Sequence, residues 1–179
     1  LDESVKIGPV ITKAALEKIN HYVQLGKQEG ATLLLGGKIM TEPPFAEGFY
    51  FEPTIFTDVT VNMIIAQEEI FGPVLSLIEV ASLAEAIEVN NSVKFGLSSS
   101  IFSRDVNTLF KAQELLDTGI VYINAGTTGA EIHLPFGGTK GTGNGHRDSG
   151  QAALDVYTEW KSVYIDYSGK LQRAQIDNE

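Results

Sequence analysis

Gln67-Glu68-Glu69-Ile70-Phe71-Gly72-Pro73-Val74 sets two adjacent carboxylates and an aromatic ring ahead of a Gly-Pro corner, in the middle of an apolar neighbourhood. Met63-Ile64-Ile65-Ala66 lies upstream and Val74-Leu75-Ser76-Leu77-Ile78-Glu79-Val80 downstream. Both flanks favour burial, and a charge held between them needs a partner. If the backbone is extended through this point, side chains two apart share a face, which sends Glu69 and Phe71 one way and Glu68 and Ile70 the other. Glu69 and Phe71 then form a platform of carboxylate and ring. Such a pair suits a ligand with hydroxyl donors and a flat ring, because the carboxylate accepts the hydroxyl protons and the ring stacks. A solvated acidic turn before a buried strand accounts for the same octapeptide without any ligand.

Upstream of this stretch, Thr12 to Glu29 carries apolar groups at Ala15, Ile19, Tyr22 and Val23, following Ile11, at the spacing of one amphipathic helix that Gly30 ends. Ala31 to Leu35, closed by Gly36-Gly37, reads as a buried strand. Pro43-Pro44 and Gly48 mark a surface loop, and Tyr50 to Val59 an extended segment interrupted by Pro53. Downstream, Val74 to Val80 is a strand, and Ser82-Leu83-Ala84-Glu85 is a capping box that starts a helix running to about Asn90. Gly96 to Ser103 is a further strand. Asp105 caps a helix through Leu116 that Gly119 ends, and Ile120 to Ile123 is again strand-like. Strands alternating with helices predict an α/β fold, a parallel-sheet layered domain with helices on both faces, over residues 1–160. Ligands of such sheets gather at loops beyond the carboxyl ends of strands, which singles out the long loop from Asn124 to Gly145. Ser149 opens a helix with Ala153, Val156, Tyr157 and Trp160 on one side. Ser162 to Tyr167 then alternates as a strand, and 161–179 reads as an oligomerisation strand and tail, although ordinary core packing would give the same alternation.

With 179 residues and 43% apolar composition the chain suffices for one well-buried domain. Its net charge of -10 and scattered basic residues argue against a nucleic-acid or anionic-membrane partner, since phosphate backbones are bound by concentrated Lys and Arg. No window approaches the roughly 18 apolar residues of a membrane span, and no basic-then-apolar leader is present, so a cytoplasmic location is expected. Cysteine is absent, which removes disulfides, thiolate metal sites and a cysteine nucleophile together. The chain opens with Leu1-Asp2-Glu3 and no initiator methionine, the pattern expected of a fragment whose function is shared with a missing piece.

Other candidates have plainer explanations. Gly137-Gly138-Thr139-Lys140-Gly141-Thr142-Gly143-Asn144-Gly145-His146-Arg147 invites an anion-binding reading, but matches neither the dinucleotide nor the P-loop spacing. A close-packed turn is the competing role. His21, His133 and His146 lie far apart with no metal-site spacing, so no metal is expected. Ser98, Ser99 and Ser100 lack a nucleophile-elbow context.

Taken together, Gly8-Pro9, Gly48-Phe49-Tyr50-Phe51-Glu52-Pro53-Thr54, Glu68 to Val74, Asn91 with Phe95-Gly96-Leu97-Ser98-Ser99, Pro135-Phe136-Gly137-Gly138 with Lys140 and Gly143, and Tyr157-Thr158-Glu159 resemble the aldehyde dehydrogenase superfamily. The match runs in the family's order over essentially the whole chain and corresponds to the C-terminal part of the catalytic domain with the oligomerisation tail. The resemblance implies oxidation of a small-molecule aldehyde with NAD or NADP. It implies that Glu69 binds the ribose of the nicotinamide half of the cofactor and that Phe71 packs against the same end. Thr128-Gly129-Ala130-Glu131-Ile132 and Asp166-Tyr167-Ser168 look like the branch that oxidises acid-bearing semialdehydes, such as aminoadipate or 2-oxoglutarate semialdehyde. In that branch Gly129 and Ala130 match a loop whose backbone amides anchor the substrate carboxylate. The tail implies a homo-oligomer formed through Ser162 to Tyr167.

One departure is large. The family's nucleophile is a cysteine that attacks the aldehyde; hydride passes to the cofactor, and water activated by a glutamate hydrolyses the thioester. This chain has no cysteine and begins downstream of the expected position, so the nucleophile, the general-base glutamate, the oxyanion-hole asparagine and the dinucleotide-binding domain are all expected elsewhere. Two readings follow. The chain is a fragment of an aldehyde dehydrogenase, inactive alone, with no catalytic residue of its own; or it is a stand-alone interaction module that pairs through Ser162 to Tyr167. The reading frame upstream of Leu1 separates them.

Overall fold

The structure, a computed structural model, describes residues 5–170; the Leu1-Asp2-Glu3 opening and tail residues 171–179 lie outside it. Helix α1 spans Lys13–Gln28, where Thr12 accepts the Ala15 amide at 3.1 Å as N-cap and Gly30 leaves the helix at φ +98. Its buried face, Leu16, Ile19 and Val23, follows the helical period. This face covers Phe51, Phe56, Val59, Ile65 and Ile70 to form the main core.

Strands β1 (Thr32–Leu35), β2 (Thr54–Thr57) and β3 (Val74–Ser76) form one sheet in that order. A short helix α2, Ile64–Gln67, sits between β2 and β3. Beyond it lie helix α3 (Leu83–Asn91), β4 (Phe95–Gly96), β5 (Ser98–Ile101), α4 (Val106–Leu115), β6 (Ile120–Ile123) and β7 (Thr139–Lys140). Both predicted caps form. Ser82 accepts the Glu85 amide at 3.2 Å while the Glu85 carboxylate reaches back to the Ala81 amide at 2.7 Å, and Asp105 accepts the Thr108 amide at 2.8 Å. The bonds from Thr108, together with its hydroxyl, hold the Asp105 carboxyl below its ordinary value.

Several expectations need correction. Instead of one parallel sheet, the described residues form three small ones: β1-β2-β3, β4-β7 and β5-β6. Pairing is parallel only in β2-β3 and β5-β6, where α2 and α4 supply the crossover; β1-β2 and β4-β7 run antiparallel. Strand β1 is largely exposed rather than buried, with Leu34 at 62% and Leu35 at 54%, because only its inner side meets α1. Met63 to Ala66, expected only to favour burial, supplies the N-cap and first residues of α2, with Ile65 buried. The Glu29 carboxylate, brought in from the end of α1, accepts the Ile64 amide through both oxygens at 2.9 and 3.0 Å and so caps this single turn.

Gly119 does not end α4, which stops at Leu115. It instead allows close approach, since a Cβ there would meet the Gly137 carbonyl oxygen at 1.8 Å. The helix expected from Ser149 is cut short. Ser149 has φ +68 and Gly150 φ +59, leaving a 3-10 turn at Gln151–Ala153 and a four-residue helix α5, Leu154–Tyr157. Ser162 to Tyr167 has no regular secondary structure in the single chain; Tyr164 and Tyr167 are 94% and 93% exposed. A lone strand has no ladder to join without a second edge.

Candidate functional site

The Gln67 to Val74 stretch is a turn with a fixed shape. Glu68 is extended at φ -118, ψ 151, whereas Phe71 adopts φ +57, so the simple alternation of faces breaks at Phe71. Ile70 is buried in the core. Gly72 lies against the fully buried Ile19, where any Cβ would come within 2.5 Å of that side chain. These two contacts anchor the turn, and the residues between and before them face outward.

The two carboxylates have different surroundings. Glu68 Oε2 accepts the Tyr22 hydroxyl at 2.8 Å, and its Oε1 lies 3.5 Å from Lys94 Nζ. The Tyr22 bond, then the Lys94 charge, hold the Glu68 carboxyl below its ordinary value, and the same bond raises the Tyr22 phenol. Glu69 is exposed, and among the described residues its carboxylate accepts no hydrogen bond and joins no ion pair. It lines a depression of about 310 Å³ with Asn90, Phe95, Gly96, Ser99 and Thr118. Phe71 is 78% exposed, with Lys18 Nζ 5.4 Å from its ring centroid. That same ammonium donates to the Glu69 carbonyl at 3.0 Å, so it ties α1 to the backbone of the turn and to the ring together.

Sequence reasoning missed Lys18, Tyr22 and Lys94. Lys18 and Tyr22 lie 51 and 46 positions from their partners in the turn, and no local pattern announces a contact that only docking of α1 creates.

Gly129 and Ala130 sit in the loop after β6. Gly129 has φ +92, and its carbonyl accepts the Tyr122 hydroxyl at 2.5 Å, fixing the loop to the strand. Neither the Gly129 nor the Ala130 amide donates to an acceptor among the described residues. Both residues line a depression of about 510 Å³ with Tyr122, Thr128, Glu131 and Phe136. A third depression shares Leu97 with that of Glu69 and Phe136 with that of Gly129.

The glycine cluster takes its alternative role. A Cβ on Gly143 would meet the Gly138 carbonyl at 2.1 Å, so these residues pack backbone on backbone. Lys140 is spent internally, donating to the Asn91 and Val93 carbonyls at 2.8 and 3.2 Å and lying 3.5 Å from Asp117. Among the described residues there is no group of three or more metal-ligating side chains, and no helix is long and apolar enough to cross a membrane.

Comparison with known proteins places the chain in a family. The sequence pattern of the aldehyde dehydrogenase family matches residues 1–163. An alpha-ketoglutaric semialdehyde dehydrogenase of Bacillus subtilis (strain 168) is 44% identical over 165 residues, 92% of this chain and 34% of that protein. A betaine aldehyde dehydrogenase of Rhizobium leguminosarum bv. trifolii (strain WSM2304) is 43% identical over 92% of this chain and 33% of its own length. The crystal structure of an NAD-dependent aldehyde dehydrogenase from Sinorhizobium meliloti superposes with a TM-score of 0.89 at 38% identity, covering 96% of this chain and 33% of that one. The NAD+ complex of a Bacillus cereus aldehyde dehydrogenase gives 0.86 at 37% identity, over 93% and 33%. The chain thus spans about a third of the length of the relatives it matches. With a family match over nine-tenths of its sequence and a shared fold, this chain belongs to the aldehyde dehydrogenase family.

Proposed function

We propose that this chain is the C-terminal third of an NAD(P)-dependent aldehyde dehydrogenase and contributes the wall that receives the nicotinamide end of the cofactor. The observation that carries the reading is the division of labour between neighbouring acids: Glu68 is committed to Tyr22 and Lys94, while Glu69 is left uncommitted over a hollow beside an exposed ring. A free carboxylate is the acceptor that ribose hydroxyls require, and an exposed phenyl face supplies apolar packing for a flat ring. The residues present therefore fit the nicotinamide-ribose half of a dinucleotide. A bound nicotinamide would supply the hydride acceptor for an aldehyde carbon already attacked by the nucleophile expected elsewhere. Glu69 would hold the ribose and Phe71 would pack against the ring, while Lys18 ties both to one turn. A cytoplasmic location is part of this reading.

The uncommitted amides of Gly129 and Ala130 suit a carboxylate without any basic side chain, which supports an acid-bearing semialdehyde as substrate. The similarity to semialdehyde dehydrogenases of Bacillus subtilis and Haloferax volcanii, 44% and 40% identical, supports the same choice.

The test is an aldehyde-dependent NAD+ reduction assay on two proteins, the 179-residue chain and the product of the whole reading frame that contains it. The whole product should turn over, faster with a carboxylate-bearing aldehyde than with its neutral analogue. The chain alone should not, because it has no cysteine to attack the carbonyl. Turnover by the chain alone would refute the division of the active site.

The same reading makes Ser162 to Tyr167 an assembly strand that pairs with another copy. Its exposed Val163, Tyr164 and Ile165, 69–94% accessible, would be covered by that pairing. Deleting 162–179 should lower the mass measured by light scattering; the same mass for both proteins would count against the pairing.

A further inference from the structure

We propose that Glu68 is a positioning residue: pegged by the Tyr22 hydroxyl and the Lys94 ammonium, it decides which of two adjacent carboxylates faces the cofactor. This rests on the reading of Glu69 and Phe71 as the nicotinamide-side contact. Glu68 and Glu69 are chemically alike and one residue apart. The buried Ile70 and the Gly72 pressed on Ile19 anchor the turn just beyond them, and Glu68 adds a hold at the acids themselves, through both oxygens, Oε2 to Tyr22 at 2.8 Å and Oε1 to Lys94 at 3.5 Å. Because Glu68 is extended, fixing its side chain toward Tyr22 and Lys94 sends that of Glu69 the other way.

The two tethers come from different parts of the fold. Tyr22 stands on α1, one turn beyond Lys18, which holds the Glu69 carbonyl. Lys94 precedes Phe95 and Gly96, and those two residues line the hollow that Glu69 faces. The peg therefore joins the turn to the wall of its own hollow. The Glu68–Lys94 pair is too exposed, with side chains 45% and 65% accessible, to serve mainly for stability. Orientation is the effect left for it to have.

The experiment uses the whole reading-frame product, with NAD+ binding measured by calorimetry and hydride transfer by single-turnover kinetics on a deuterated aldehyde. Tyr22→Phe and Glu68→Ala should each weaken NAD+ binding and slow hydride transfer about fivefold, the scale of one ordinary hydrogen bond. The aldehyde KM should stay within about twofold, because the substrate hollow is untouched. Glu68→Gln keeps an acceptor for Tyr22 and should recover most of the loss. The double variant should be no worse than Glu68→Ala, since both act through one contact. If Tyr22→Phe and Glu68→Ala leave NAD+ binding and hydride transfer unchanged while Glu69→Gln damages both, the peg is wrong and the cofactor reading stands. If Glu69→Gln also changes neither, both fall together. Should Glu68→Ala lower the melting temperature, Tyr22→Phe, which removes one hydroxyl, decides the matter.

Discussion

Glu69→Gln in the whole reading-frame product is expected to slow hydride transfer between about tenfold and a hundredfold, while the aldehyde KM changes little. The amide keeps the shape but loses the charge that makes a carboxylate a strong acceptor for hydroxyls, a difference of about 1–1.5 kcal/mol per bond. The loss falls on the hydride step because a loosened ribose lets the nicotinamide ring drift from the aldehyde carbon, and rate depends steeply on that alignment. Single-turnover kinetics separate this step from binding and release. Rates equal to the parent would remove Glu69 from the site, whatever the likeness of its neighbourhood to cofactor walls.

Phe56→Ala is expected to have the largest effect on stability, about 3–5 kcal/mol. Phe56 is fully buried in the centre of β2, packed where α1 closes over the sheet; its ring edge lies 3.3 Å from where a Cβ on Gly26 would stand. Removing the ring leaves a cavity that α1 cannot collapse to fill, since Gly26, Ile19 and Ile65 already meet closely around it. Urea denaturation followed by circular dichroism should show the midpoint of the 179-residue chain collapse toward zero denaturant. Leu34→Ala, at a position 62% exposed, should stay within about 0.5 kcal/mol of the parent. Equal losses at the two positions would mean that the core is not where this fold puts it.

The parts of the fold that were legible are those set by neighbours in sequence. Thr12 begins α1, Ser82 and Glu85 begin α3, and Asp105 begins α4, each through a side chain bonding an amide about a turn away, and the left-handed Gly30 ends α1. What was not legible depends on contacts between distant segments. Ile64–Gln67 is helical because Glu29 caps it from α1, and the left-handed Phe71 is held by a buried Ile70 and a Gly72 pressed on Ile19. Alternation put Glu69 and Phe71 on one face; both are exposed, but Phe71 takes a left-handed φ of +57 and does not continue a strand. Nothing local in the sequence marks Lys18, Tyr22 or Lys94 as partners of the turn; Tyr22 reads there only as part of the apolar face of α1. Three small sheets in place of one follow from the same cause: pairings such as Phe95 with Lys140 join segments far apart in sequence, and among the described residues no strand joins β3 to the β5-β6 pair.

The most direct measurement is a crystal structure of the whole reading-frame product with NAD+. The Glu69 carboxylate should lie about 2.6–3.2 Å from the hydroxyls of the nicotinamide ribose, with Glu68 still on Tyr22 and Lys94. A cofactor whose nicotinamide ribose is bound elsewhere, with Glu69 turned to solvent, would contradict the account at its centre.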